Sequence, residues 1–198
     1  MSANKTKKPH LFSRILLGSA SAIALIASAL GGTLGTNVTR LNNDKVGIIQ
    51  EMTLKLTDVA ITMTDATTNG THGTHDLYTF AEGGVVGLAA QADCTFAETG
   101  GITNTAAVLF GVGSAAVGTD NAALTSTEAN IIPSTSCTMT ASAGSFEGMS
   151  TGAAYLAGHG TAAKLRLNAV AADADSASNA TITVNGTIKV WFIHLGDY

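Results

Sequence analysis

Charge, aromatic rings and proline are all scarce in this chain, and each scarcity removes a class of protein. Only 12% of the residues are charged and 5% aromatic, while Ala, Thr and Gly dominate. Helical bundles need long, straight side chains, so the composition argues against them. Two prolines are too few for a Pro-rich stalk. The two cysteines, Cys94 and Cys137, are too far apart for a C-x-x-C redox pair. A G-x-S-x-G elbow is lacking, and with no other catalytic constellation the chain reads as a non-enzyme. Disorder is excluded by a 45% hydrophobic content and a modest net charge.

What is present begins with a targeting pattern. Residues 1–14 carry Lys5, Lys7, Lys8 and Arg14 and no acid, followed by an apolar run from Ile15 to Leu30 with Ala27-Ser28-Ala29 near its end. This is the pattern of a signal peptide over residues 1–29, helical and separate from the fold. The alternative is an uncleaved anchor, but Gly18, Ser19, Ser21 and Ser28 dilute the run. Cleavage removes four of ten basic residues and leaves six against 14 acidic ones, a net charge of −8. Such a surface repels phosphates and offers no polybasic patch, so neither nucleic acid nor, after cleavage, a membrane is an expected partner.

The rest divides into an extended arm, residues 30–46, and one domain, residues 47–198. Its best-patterned stretch is the last. Ile182, Val184, Ile188, Val190 and Phe192 share one parity, the mark of a strand with one buried face. Asn185-Gly186 is a hairpin signal, but a turn there would mix apolar and polar residues on each face. One uninterrupted strand is expected instead, with Gly186 at a bulge or a close approach. From Trp191 the opposite face also turns apolar through Ile193 and Leu195, so that end needs cover on both sides.

Earlier, Met52, Leu54 and Leu56 give way to Val59, Ile61 and Met63 on the other parity, which predicts a bulge or bend at Thr57-Asp58. A polar turn is expected from Asp65 to Asp76 and a short helical turn near Leu124. Leu165 and Leu167 alternate with Lys164 and Arg166 in another strand. Eight to ten short strands with Gly or Asn turns predict an all-β fold, an antiparallel, jelly-roll-like β-sandwich.

Cysteines in an exported chain default to a disulfide, and Cys94–Cys137 would close a loop of 43 residues. Such a bridge would stabilise by about 4 kcal/mol. Two reduced, buried thiols are the alternative.

No cofactor is expected beyond a candidate calcium ion. Asp173 and Asp175 supply oxygen ligands at alternate positions, without the Gly and twelfth-position Glu of an EF-hand. His72, His75 and Asp76 form an H-x-x-H-D cluster that reads first as a solvated loop. Asn37, Asn69, Asn179 and Asn185 begin N-x-[ST] triplets, and Asn69, in its turn, is the best glycosylation candidate. For stacking on sugars, Trp191, Tyr78, Tyr155 and Tyr198 are available.

Two resemblances bear on function. The stretch L-G-S-A-S-A-I-A-L-I-A-S-A-L-G-G-T from Leu17, followed about twenty residues later by M-T-L-K-L, resembles the start of TasA/camelysin-type fibre proteins. Leu34 to Arg40 stand where that family carries an aromatic-Asp motif. A last strand ending in Tyr198, with Gly186 twelve residues before it, is similar to that of chaperone–usher pilins. Both resemblances imply β-strand addition between identical subunits. Leu30, Leu34, Val38 and Leu41 would line the donor arm, and Gly186, Val190 and Phe192 the acceptor. The function so implied is a structural subunit of an extracellular filament, secreted and homopolymeric. The alternative is a secreted carbohydrate- or calcium-dependent binding module.

Overall fold

The computed structural model describes residues 32–46, 48–65, 70–103, 105–118, 123–150, 152–157, 162–172 and 175–196. The signal segment 1–29 with its expected helix, donor residue Leu30, Asn69, Asp173 and Tyr198 lie outside the described residues.

Among the described residues the chain forms eleven strands: β1 (Thr33–Leu34), β2 (Val38–Val46), β3 (Ile49–Asp65), β4 (Thr71–Glu82), β5 (Gly84–Ile102), β6 (Ala107–Gly113), β7 (Ile132–Thr138), β8 (Ala143–Met149), β9 (Ala154–Ala157), β10 (Ala162–Ala171) and β11 (Ser176–Gly196). All named pairings are antiparallel. Layer A runs β7–β6–β10–β4–β1, and layer B runs β2–β3–β11–β5, with β8 and β9 sharing the far edge of β5. At one corner the layers are continuous, because Thr64 and Asp65 of β3 pair with His72 and Thr71 of β4. The architecture is the all-β antiparallel sandwich expected from sequence, but with eleven strands among the described residues in place of eight to ten short ones, three of them 17, 19 and 21 residues long. Thr33–Tyr198 form one compact unit, so the segment read as an arm is folded into the domain from Thr33 on.

Period-2 alternation drives the layers together. Ile182, Val184, Ile188 and Val190 of β11 are fully buried and Phe192 nearly so, on the same inward face of layer B as their cross-strand neighbours Leu54, Leu56, Val59 and Ile61 of β3. Aromatic contacts cross between the layers: Phe80 of β4 meets Phe192 of β11 edge-on at 4.9 Å, and Phe110 of β6 lies between Phe96 of β5 and Phe146 of β8.

β11 runs through Asn185-Gly186 without turning. Its register against β3 shifts between Val184 and Gly186, opposite Thr57-Asp58, where the parity of β3 changes. Asp58 takes a positive φ of 52°. The Asn185 amide clamps it: the Asp58 N–H donates to Oδ1 at 2.9 Å, and Nδ2 donates to the Asp58 carboxylate at 3.1 Å. Asn37 Nδ2 donates to the Asp58 carbonyl. Gly186 sits at φ 143°, and a Cβ there would lie 2.3 Å from the Asp93 carbonyl oxygen. Both the bulge and the close approach expected from sequence are present at this one point.

Two expectations are corrected. Cys94 and Cys137 are free thiols. Cys94 in β5 stands opposite Gly186 and Phe146, while Cys137 in β7 stands opposite Val108, so strand pairing never brings the two together. Burial, and then the neighbouring Asp93 charge, push the Cys94 thiol up to about 12, and burial raises Cys137 too. Burial thus disfavours the thiolate form at both positions. The polar stretch read as a turn through Asp76 is mostly strand: β4 begins at Thr71. Its polar residues found a place because a loop, not solvent, covers that side of layer A.

Candidate functional site

The two outer faces of the sandwich differ in cover. Over layer A lies the β6–β7 connection with a 3₁₀ turn at Ser126–Glu128, near the Leu124 turn expected from sequence. Asn168 of β10, fully buried, holds it: Nδ2 donates to the carbonyls of Ala115 and Glu128, and Oδ1 accepts from the Thr74 hydroxyl at 2.6 Å. The Thr74 Oγ1 in turn accepts from the Val117 N–H. Arg166 donates to the Ser114 carbonyl and, with Lys164, pairs with Asp76. Desolvation raises the Asp76 carboxyl, but hydrogen bonds from Lys164 and then Arg166 outweigh it and leave it below 3.8. Of the H-x-x-H-D cluster, Asp76 is thus engaged in ion pairs, and the His75 ring nitrogens face the carbonyls of Ala60 and Thr36 at 3.0 Å each. Among the described residues no group of three or more His, Cys, Asp or Glu side chains could hold a metal.

Among the described residues no connection covers the outer face of layer B, and strand register arranges that face in rows. Ile193, Val86 and Tyr155 stand side by side on β11, β5 and β9. The next row holds Glu51, Trp191 and Ala89. Below it come Thr53, Lys189, Gln91 and Met149, then Lys55, Thr187, Asp93 and Glu147. Ile49 precedes Glu51 by two residues on the same face. Tyr155 is 61% exposed and Met149 70%.

Trp191 is held in place. Its indole N–H donates to Glu51 Oε2 at 2.8 Å, and the Lys189 ammonium, 3.2 Å from Glu51 Oε1, stands 5.5 Å from the ring centroid. The hydrogen bond from Lys189, with that from Trp191, keeps the Glu51 carboxyl below its ordinary value despite opposing desolvation. Beside this group lies a cleft of about 380 Å³ lined by Gln91, Ala92, Asp93, Glu147, Gly148 and Met149. A ring fixed at its edge, amide and carboxyl groups a row or two away and a shallow cleft can hold a flat, hydroxyl-rich ligand by stacking and hydrogen bonding.

The other sequence-predicted residues are dispersed. Val190 and Phe192 are buried in the chain's own core, and Gly186 abuts the Asp93 backbone, so none of the three faces an open groove. On the arm, Val38 is buried, whereas Leu34 of β1 and Leu41 of β2 are exposed. β1 pairs with β4 and β2 with β3 of the same chain. Asp175 uses its backbone to accept from the Thr103 N–H. Of the stacking candidates, Tyr78 is buried beside Phe80. Glu51, Gln91 and Glu147 were missed from sequence. Their signal was only the polar parity of their strands, and pairing with β11 or β5 is what assembles them.

No protein-family model and no curated protein matches the chain. Among solved structures it is similar to one described as "CBM4 structure and function", at TM-score 0.39 and 10% identity, covering 78% of this chain and 94% of that one. It is also similar to the N-terminal cellulose-binding domain of Cellulomonas fimi β-1,4-glucanase C, at TM-score 0.34 and 14% identity over 84% of this chain and 96% of that one. A third is an arabinose-bound α-L-arabinofuranosidase, MgGH51, at TM-score 0.34 and 11% identity, in which 79% of this chain covers 23% of the other. Likeness at this level carries no functional inference.

Proposed function

We propose that the chain is a non-catalytic, exported glycan-binding module that holds its ligand on the outer face of layer B. The observation that carries this reading is Trp191: a half-buried indole on the outer face of layer B, anchored by Glu51 and Lys189 and flanked by Gln91 and the cleft. Sugar rings stack their apolar faces on such indoles while their hydroxyls bond to neighbouring amides and carboxylates. Affinity electrophoresis through soluble neutral polysaccharides, followed by calorimetry with oligosaccharides, tests it. Trp191→Ala is expected to weaken binding by about 30-fold or more, as for a central aromatic anchor. Failure of the wild-type protein to bind any neutral glycan tested sinks the reading.

A second reading, a subunit that polymerises by lending its N-terminal arm, is favoured by the position of β1 and β2 at sheet edges. The short link from Val46 to Ile49 ties β2 to β3 as a hairpin, so the lendable part ends near Asn37. Fibres in negative stain that vanish on deletion of residues 30–37 while the monomer stays folded support this reading; assembly unchanged by the deletion counts against the arm.

A further inference from the structure

We propose that two copies of the chain pair face to face through the outer face of layer B, about a two-fold axis that runs parallel to the strands between β11 and β5. This goes beyond the glycan reading and uses the same face, so a glycan and a second copy exclude one another.

Along the face, an apolar band occupies the end near the C-terminus of β11, and a charged row lies midway along the strands, with Thr95, Thr183, Ala60 and Ala97 beyond it. At the apolar end lie Ile49, Ile193, Val86 and Tyr155, with Trp191 and Ala89 in the next row. Beyond them Ile48 is 69% exposed and Leu195 44%. Exposed branched aliphatics in one continuous band are characteristic of an association surface rather than of a sugar platform. The occupant is identified by how the rows match when reversed. A two-fold axis along the strands keeps each row at its own level and reverses its order.

Under that operation Ile49 meets the partner copy's Tyr155 position, and Ile193 meets Val86. Trp191, the bulkiest side chain of the face, falls over Ala89, the smallest apolar one. Lys55, at the β3 end of its row, falls over Glu147 at the β8 end. Lys55, Asp93 and Glu147 are all exposed. Asp93 and Glu147 are direct cross-strand neighbours, an arrangement that like charges disfavour. A lysine from a second copy relieves it. A two-fold axis across the strands would instead lay the apolar band on the charged row, or, at mid-strand, Lys55 on Lys55 and Glu147 on Glu147; unpaired or like charge opposes both. Two twisted sheets packed nearly aligned accommodate the first arrangement.

Sedimentation velocity of the purified exported protein, with no glycan present, tests the pairing. Wild type is expected to form a dimer in the micromolar range, the weak end for an interface of this kind. Lys55→Glu is expected to weaken dimerisation at least tenfold, and adding Glu147→Lys to restore it to within about threefold. Ala89→Arg, which fills the space beneath Trp191, is expected to abolish the dimer. Circular dichroism should report unchanged folding for all three, since the positions face solvent. A wild-type protein that stays monomeric at about 100 μM, or a dimer indifferent to Lys55→Glu and Ala89→Arg, overturns the proposal. A double charge swap that fails to restore the dimer overturns it equally. None of these readouts involves sugar, so their failure leaves the glycan reading standing. Loss of sugar binding in Trp191→Ala likewise leaves the charge-swap result standing.

Discussion

The two outer faces of this sandwich are made of the same kind of strand but spend their polar groups differently. On layer A, Asn168, Thr74, Arg166 and Asp76 all point outward and are consumed in holding the β6–β7 connection or one another. On layer B, Asp93, Gln91 and Glu147 point outward into a cleft, and Tyr155 and Met149 lie open. Hydrogen bonds already closed within a chain contribute to its stability; side chains left facing water are those available to a ligand or a partner. Function should therefore be sought on layer B, and stability should prove sensitive on layer A.

Substitutions can break that contrast. The largest effect is expected at Asn168. Asn168→Ala strips partners from Thr74, Ala115 and Glu128 in a fully buried site, and should cost about 3 kcal/mol in denaturant unfolding. A loss under about 0.5 kcal/mol would show that the connection needs no anchor. Gly186→Ala comes next, at about 2 kcal/mol, because the new methyl meets the Asp93 carbonyl in a conformation that Ala resists. Asp76 gives a smaller and pH-dependent effect. Its folded carboxyl lies below 3.8, so its contribution is present above that value and is lost as acid titrates it through the depressed folded value. The group is partly exposed and screened, which keeps the contribution under about 1 kcal/mol. Wild type should thus lose more stability than Asp76→Asn between neutral pH and pH 3. A comparably small effect on stability, about 1 kcal/mol or less, is expected from Trp191→Ala, the change predicted to damage binding most. If unfolding and binding suffered equally there, the two faces would not be specialised as described.

Much of the layered fold was legible. The alternation in β11 named its buried residues, and the parity change at Thr57-Asp58 announced the bulge that Asn185 clamps. β4 was not legible, because His72, Thr74 and Asp76 read as a solvated turn, whereas strand pairing with β10 sets Thr74 beside Asn168 and the loop and Asp76 beside Lys164 and Arg166. The disulfide was inferred from a count of cysteines, and parity says nothing of which strands become neighbours. The apolar outer end was foreseen from Trp191, Ile193 and Leu195. Its continuation through Val86 to Tyr155 was not, since β9 reaches β5 only through long-range pairing.

The clamp at Asp58, Asn185 and Gly186 has a bearing on how three very long strands find one alignment. β3, β5 and β11 run for 17, 19 and 21 residues. A slip by two would keep every side chain on its proper face, so hydrophobicity alone scarcely opposes it. An inserted residue, a glycine that only one neighbour tolerates and a paired amide together act as a notch and key. They admit a single alignment, and with it fix which outward side chains become neighbours.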